Sequence, residues 1–440
     1  MRDSLGLEVS TDDAAAVAAL DRFRTDLASL GPGAGDIIAT AAAHPGQTLV
    51  QCCAASLGLY GQNAAADRDA EGYLAVARAA SAHANARERA YLAALEDWAA
   101  RRYEDATAKL EAIIAEWPRD LVAAKTLEFL YFVRGQHYSA PRFLKAMQGI
   151  ARANEGSGYF LSVLSFALEL AGRYDEALAT AERAVTLEPN NPWAHHTMAH
   201  VFLKTGAIEK GTVVLESQQP IWRASGPVVH SHNFWHLALM YLENLEPEAA
   251  YGFLHRPILA NMPHMTVQMV DAISLLWRLE MAGFAVPGAD WEFLAAMVAD
   301  DATQCYTAFN SAHFVYALAR AGREGALAEA LGCLKAAVAT MRGPEQAVWQ
   351  EVGLPLVDGC VAAARGDHAQ AARLLGPLMG PERETVVRAG GSDAQVDVFR
   401  QAYLISLIRS RQSSAARAYL DRLSTRPTDT PLQCYWRGLC

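Results

Sequence analysis

Nine of the 13 histidines fall between His195 and His313, and four of them make two pairs at a spacing of four, His196 with His200 and His232 with His236. On an α-helix, residues four apart stand one turn above each other on one face, so each pair would aim two imidazoles at one point. Two chemistries use that arrangement. Neutral imidazoles ligate zinc or another divalent transition metal, which makes His196, His200, His232 and His236 candidate metal ligands, with Asp271 able to complete the set. The same four histidines, joined by Asp271 and His313, could instead run cofactor-free acid–base chemistry of hydrolase or lyase type near pH 7. The residues between the paired histidines are Thr197-Met198-Ala199 and Asn233-Phe234-Trp235. Neither pair therefore carries the glutamate of a metalloprotease helix, and a bound metal and no cofactor at all fit the residues equally well.

Asn233 and Asn310 add amide hydrogen bonding beside these groups, while Trp193 and Trp235 offer flat faces to a substrate as well as bulk for packing. A single buried histidine is most often a hydrogen-bonded core residue. A cluster of titratable groups is another matter, because burying it is costly unless water or a ligand is present. His195, His230, His255 and His264 are expected to be bystanders, and Cys305 is a remote candidate nucleophile. No GxSxG, Walker or dinucleotide-type glycine loop occurs, which argues against hydrolase-elbow, P-loop and Rossmann mechanisms.

The chain has 440 residues, 52% of them hydrophobic and 20% charged, a composition that excludes a largely disordered protein. A formal charge of −10 would repel a phosphate backbone and an anionic lipid surface, so neither nucleic acid nor membrane is an expected partner. The seven cysteines include no CxxC pair. Reduced thiols in a cytoplasmic setting follow as the expectation. The first residues lack the apolar core of a signal peptide, and nowhere do about 18 apolar residues follow one another without a charge.

Helices must position these side chains, and the sequence repeats them. In the segment 159–191, Gly172 breaks one helix, Tyr174 opens the next and Pro189 ends it, with Leu161, Leu164 and Leu168 on the first and Ala177, Ala181 and Ala184 on the second at three- and four-residue steps. Tyr103, Ala106 and Pro118 repeat Tyr174, Ala177 and Pro189 at a constant offset of 71 residues, about two units of the 34-residue kind. Weaker copies run over 357–379 and over 403–427, the latter ending at Pro427. The period predicts an all-α superhelix of stacked helix pairs, continuous over 46–440 after an N-terminal helical segment at 1–45, with a polar pocket at about 190–320.

Six runs occur in order: WAHHTMAHVFLKTG, HNFWHLALMYLE, DAISLLWRLE, FNSAHF, EVGLPLVDG and GGSDAQVDVFRQ. The series resembles the tetratricopeptide repeat protein 38 family from about Gly46 to about Arg422. Its pattern covers Trp193, His196, His200, His232, Asn233, Trp235, His236, Asp271, Phe309, Asn310 and His313, but not His195. The resemblance implies tetratricopeptide-like helix pairs, in which the fifth and ninth places of a unit's first helix face a concave groove. His196 and His200 would take those places, and His232 with His236, Asp271, and Asn310 with His313 would follow on the next three first helices. It brings no activity with it.

The expected occupant of the groove is a small molecule or metal, with a peptide held by a non-enzymatic scaffold as the alternative. Histidines and amides in place of the lysines and arginines that read acidic peptides favour the former. Terminal repeats with exposed apolar faces would permit a homodimer. Gly390-Gly391 is expected to turn tightly, Ser392 or Asp393 to cap a helix, and Asp397 and Glu351 to supply further acids to the interior.

Overall fold

A computed structural model describes residues 1–260, 265–381, 384–423 and 428–440. His264 and Pro427 lie outside them. Among the described residues there is no strand beyond an isolated bridge between Arg2 and Glu8, and the regular structure is helical.

The pairing of helices is set by their ends. Residues with positive φ recur at Gln62, Arg101, Gly135, Gly172, Gly206, Leu245, Gly283, Gly322, Gly366 and Arg411, each closing one helix before the next begins. Behind several of them lies the same long-range turn bond. The N–H of Arg102, Arg173, Glu246, Phe284, Arg323, Asp367 and Gln412 reaches back to the carbonyl of Asp97, Leu168, Tyr241, Leu279, Leu318, Ala362 and Leu407 respectively. This six-to-one bond is the Schellman closure, which satisfies an orphan carbonyl and reverses the chain through one left-handed residue. Glycine takes that conformation without strain, whereas Arg101, Leu245 and Arg411 adopt it at some cost.

Helix pairs follow in the expected order. After α1 (Ala14–Ser29), capped by Asp13, come α2 (Ala86–Ala99) and α3 (Tyr103–Glu116), then α4 (Leu121–Val133). The clearest repeat is α5 (Gly158–Leu170) with α6 (Tyr174–Leu187), whose Ala177, Ala181 and Ala184 are fully buried. Next are α7 (Pro192–Thr205), α8 (Pro227–Glu243), α9 (Thr266–Met281) and α10 (Ala308–Arg320). The last pairs are α11 (Leu354–Ala364) with α12 (His368–Leu375), and α13 (Asp393–Arg409) with α14 (Ser413–Leu423). The fold is thus all-α, built of tetratricopeptide-like helix pairs.

These elements pack as two compact units. Unit one comprises Met1–Val133, Ser139–Met198 and Pro220–Val229; unit two comprises Arg134–Tyr138, Ala199–Gln219 and His230–Cys440. Residues 1–45 belong to unit one. Helix α7 gives its first half to one unit and its second half to the other.

In unit two, α9 is buried over nearly its whole circumference, Val267 and Glu280 being its only incompletely buried residues. A helix so enclosed is normally apolar all round, yet this one carries Asp271 and Arg278. The Gly390-Gly391 turn forms as expected, both glycines at positive φ, and Ser392 caps α13 in a reciprocal capping box with Gln395. A Cβ on Gly391 would sit 3.0 Å from the Phe309 ring, and the Phe309 N–H donates to the Ala389 carbonyl at 2.9 Å. The loop therefore fixes the start of α10. Asp393 is held by Lys204 and, at 2.8 Å, by Arg400, which also binds Glu384.

Two alanine substitutions isolate the backbone term. Gly172 at φ 76° and Gly149, exposed within the helix Gln136–Asn154, both have open space where a Cβ would stand. Gly172→Ala should cost about 1–2 kcal/mol, and Gly149→Ala should gain about 0.5–1 kcal/mol. Chemical-denaturation midpoints that move in opposite directions confirm that the left-handed turn, rather than packing, governs the difference.

Candidate functional site

The acid–base groups of unit two lie on α8, α9 and the second half of α7. Nδ1 of His232 is 2.8 Å from Oδ2 of Asp271, joining α8 to α9, and both residues are buried. A carboxylate only accepts, so Nδ1 carries the hydrogen and Nε2 is the basic nitrogen. The His232 ring stacks on Trp235 at 5.2 Å with an interplanar angle of 13°, which fixes its plane. His236 meets His232 edge to face at 4.7 Å and lies 4.7 Å from the His200 ring. Burial drives His236 far below the ordinary imidazole range, and the neighbouring His200, His232 and Arg278 push the same way. A close group of three imidazoles results, His200, His232 and His236, with His232 oriented by a carboxylate and His236 held neutral by burial. Such a group can accept a proton at Nε2 of His232 or offer nitrogens to a metal.

Arg278 stands two turns after Asp271 on α9. Its guanidinium carbon lies 5.4 Å from the centre of the Trp235 ring, and it donates to the Ala394 carbonyl at 2.8 Å and to Ser274 Oγ. Burial brings its pKa down to about 10, against the upward pull of Asp397, Glu243 and Asp271. At neutral pH it remains a cation.

On α10, His313 donates from Nδ1 to the Phe309 carbonyl at 2.8 Å, and its ring packs on Phe309 and Phe399 at 4.5 and 5.3 Å. Burial lowers its pKa to about 3, opposed by the Phe309 bond and helped by Arg278. Asn310, also buried, receives the N-cap of α10 through its own N–H, which donates to Thr307 Oγ1 at 3.0 Å. Asn233 is buried on α8.

Unit one holds the remaining expected residues. Trp193 and His196 stack at 4.1 Å with an angle of 11° on the first half of α7. Lys125 Nζ of α4 lies 3.7 Å from the Trp193 ring centre and 2.7 Å from Glu128 Oε2, while Trp193 Nε1 donates to Glu128 Oε1 at 2.9 Å. Burial pushes Lys125 down and Glu128 up, each opposed by the other's charge. Of the four histidines expected to share a metal, His200, His232 and His236 are linked by ring contacts within unit two, and His196 packs on Trp193 in unit one.

The expected bystanders have ordinary partners. Trp222 Nε1 donates to His195 Nδ1 at 3.3 Å, His230 packs on Phe234 at 5.3 Å, and the exposed His255 is 3.1 Å from Asp290. Two expected acids differ from their forecast. Glu351 is solvent-exposed and accepts from Arg388 at 2.8 Å, because it lies on the outward side of a turn whose Trp349, Val352 and Gly353 are buried. Asp397 is only partly buried and accepts from Gln401 at 2.7 Å, so it acts on the interior by its charge alone.

Arg278, Lys125 and Glu128 were not singled out by motif reasoning. For Arg278 a signal existed: it lies seven residues after Asp271, on the same face, in an otherwise apolar run. Lys125 and Glu128 sit in a segment with no motif, and only their tertiary meeting with Trp193 marks them.

Because His313 is neutral when folded and has an ordinary pKa when unfolded, the unfolded chain binds the extra proton below about pH 6.5. Stability should therefore fall as pH drops from about 6.5 towards 3, by up to about 1.4 kcal/mol per pH unit for this residue. His313→Phe should give a shallower dependence of the urea midpoint on pH across that window, and an unchanged slope would show that His313 titrates normally. A family model described as tetratricopeptide repeat matches residues 168–221, a stretch that runs from the end of α5 through α6 and α7, so the chain carries a tetratricopeptide repeat at the helices that bear Trp193, His196 and His200.

Proposed function

We propose that unit two binds a small polar molecule at the His232–Asp271 pair and moves a proton to or from it. The carrying observation is that buried pair, 2.8 Å apart, with the second carboxylate oxygen, Asp271 Oδ1, buried and without a hydrogen-bond partner among the described residues. A purely structural pair would satisfy both oxygens, since a buried acceptor left unpaired costs about 1–3 kcal/mol. In the proposed step, Nε2 of His232 takes a proton from an O–H, N–H or activated C–H of the ligand, which is left as its conjugate base. Asp271 stabilises the imidazolium through the Nδ1–H bond, and the proton returns by the reverse path. His236, driven neutral by burial, keeps a second positive charge from opposing that step.

A peptide-binding scaffold is the second reading, supported by the tetratricopeptide repeat at 168–221, since such repeats commonly hold extended or helical peptides. The two readings differ in what His232 does.

A thermal-shift screen of the full chain against small carboxylates, phosphates, amines and polyols tests the proposal. A ligand present at about 100 times its Kd should stabilise the protein by about 2.7 kcal/mol. That gain should vanish in His232→Gln, and turnover of any reacting ligand should fall about 10²–10⁴-fold in Asp271→Asn. Absence of a stabilising class, or equal stabilisation of both variants, would overturn it. Stoichiometric zinc, iron or manganese in untagged, metal-replete protein, lost in His200→Ala/His236→Ala, would move the chemistry to a metal centre.

A further inference from the structure

Resting on that reading of the site, we propose that its ligand is a small monocarboxylate that also bears a hydroxyl or amine, the carboxylate being held by Arg278 against Trp235. Arg278 is 3% exposed, and among the described residues no carboxylate lies within ion-pair distance of it. Its acceptors are the Ala394 carbonyl and Ser274 Oγ. A guanidinium has five N–H donors in a planar fork that matches a carboxylate two-pronged. A buried cation without an ion-pair partner is costly, and an incoming anion removes that cost.

Three further atoms of unit two are buried and unpartnered among the described residues: Trp235 Nε1, on the ring 5.4 Å from the guanidinium carbon, and Asp271 Oδ1 and His313 Nε2, on residues that feel the Arg278 charge. Their roles are fixed. The indole N–H can only donate, the carboxylate oxygen accepts, and His313, having donated from Nδ1 to Phe309, keeps a lone pair at Nε2. A ligand complementary to all four groups accepts from Arg278 and Trp235 and donates to Asp271 and His313. A carboxylate with an adjacent amine can donate to both acceptors, and one with an adjacent hydroxyl to either of them. Phe309 and Phe399 pack on the His313 ring, so the surroundings of that acceptor are apolar. With one guanidinium as the positive charge of the site, a monoanion is matched and a phosphate dianion is not.

Isothermal titration of the full chain with glycolate and 3-phenyllactate, their uncharged amides, and inorganic phosphate tests the assignment. At least one of the two acids should bind at least 10-fold more tightly than its amide and than phosphate. Arg278→Met should weaken that acid at least 10-fold while the far-ultraviolet circular dichroism stays helical. Arg278→Lys, which keeps the charge but not the fork, should show an intermediate loss and serves if the Met variant does not fold. Equal binding of acid and amide, preference for phosphate, no binding of either acid, or wild-type affinity in both Arg278 variants would each overturn the carboxylate assignment. An uncharged ligand whose binding is lost in His232→Gln but kept in Arg278→Lys would overturn it while leaving the proton-transfer site standing.

Discussion

Asp271 and Arg278 lie on a helix that is otherwise packed into the interior of unit two, and most of what surrounds them answers to the cost of placing charge there. A carboxylate and a guanidinium taken out of water lose several kcal/mol of hydration each, to be recovered only through directed hydrogen bonds or paired charge. His232 reaches from α8 to Asp271, Trp235 lies under Arg278, and Ala394 at the start of α13 gives its carbonyl to the guanidinium. Three helices, α8, α9 and α13, are thereby tied together through two side chains. The Gly390-Gly391 turn belongs to the same arrangement, because it sets both the start of α13 and, through Phe309, the start of α10.

Histidine suits the shell around such charges. It is the one side chain that can be neutral, donate and accept in a single ring, so burial depresses its pKa without leaving a stranded charge. His236 and His313 are both held neutral by burial, while His232 stacks on Trp235 and His313 meets Phe309 edge to face. The contrast with unit one is instructive. There Lys125, Glu128 and Trp193 neutralise and hydrogen-bond one another, whereas in unit two Asp271 is paired with a histidine and Arg278 with no carboxylate among the described residues.

The helix-pair scaffold makes this arrangement attainable. Each Schellman turn returns the chain at a fixed point, so that positions separated by roughly one repeat stand on neighbouring helices. His232 and Asp271 are brought together in that way. Where glycine is missing from a turn, as at Arg101, Leu245 and Arg411, the same bond pattern still closes it; the closure tolerates a strained residue because the packing of the two helices exceeds the strain of one left-handed residue.

Much of this was legible in the sequence by itself. Period-3.6 leucines and alanines, a turn glycine and a terminal proline at constant offsets fix helices and their pairing, because these depend on local backbone preference and on one buried face. The i, i+4 histidines and Asp271 were legible for the same reason: a helix converts spacing into direction. What spacing cannot convey is which charge meets which. That Asp271 takes Nδ1 of His232, that Glu351 faces solvent, that Arg278 settles on Trp235 without an acid of its own, and that the Lys125–Glu128 pair of α4 meets Trp193 in the other unit were decided by tertiary packing. Hydrogen bonds between helices are fixed only when two faces are pressed together and water is excluded, and no local pattern records that meeting.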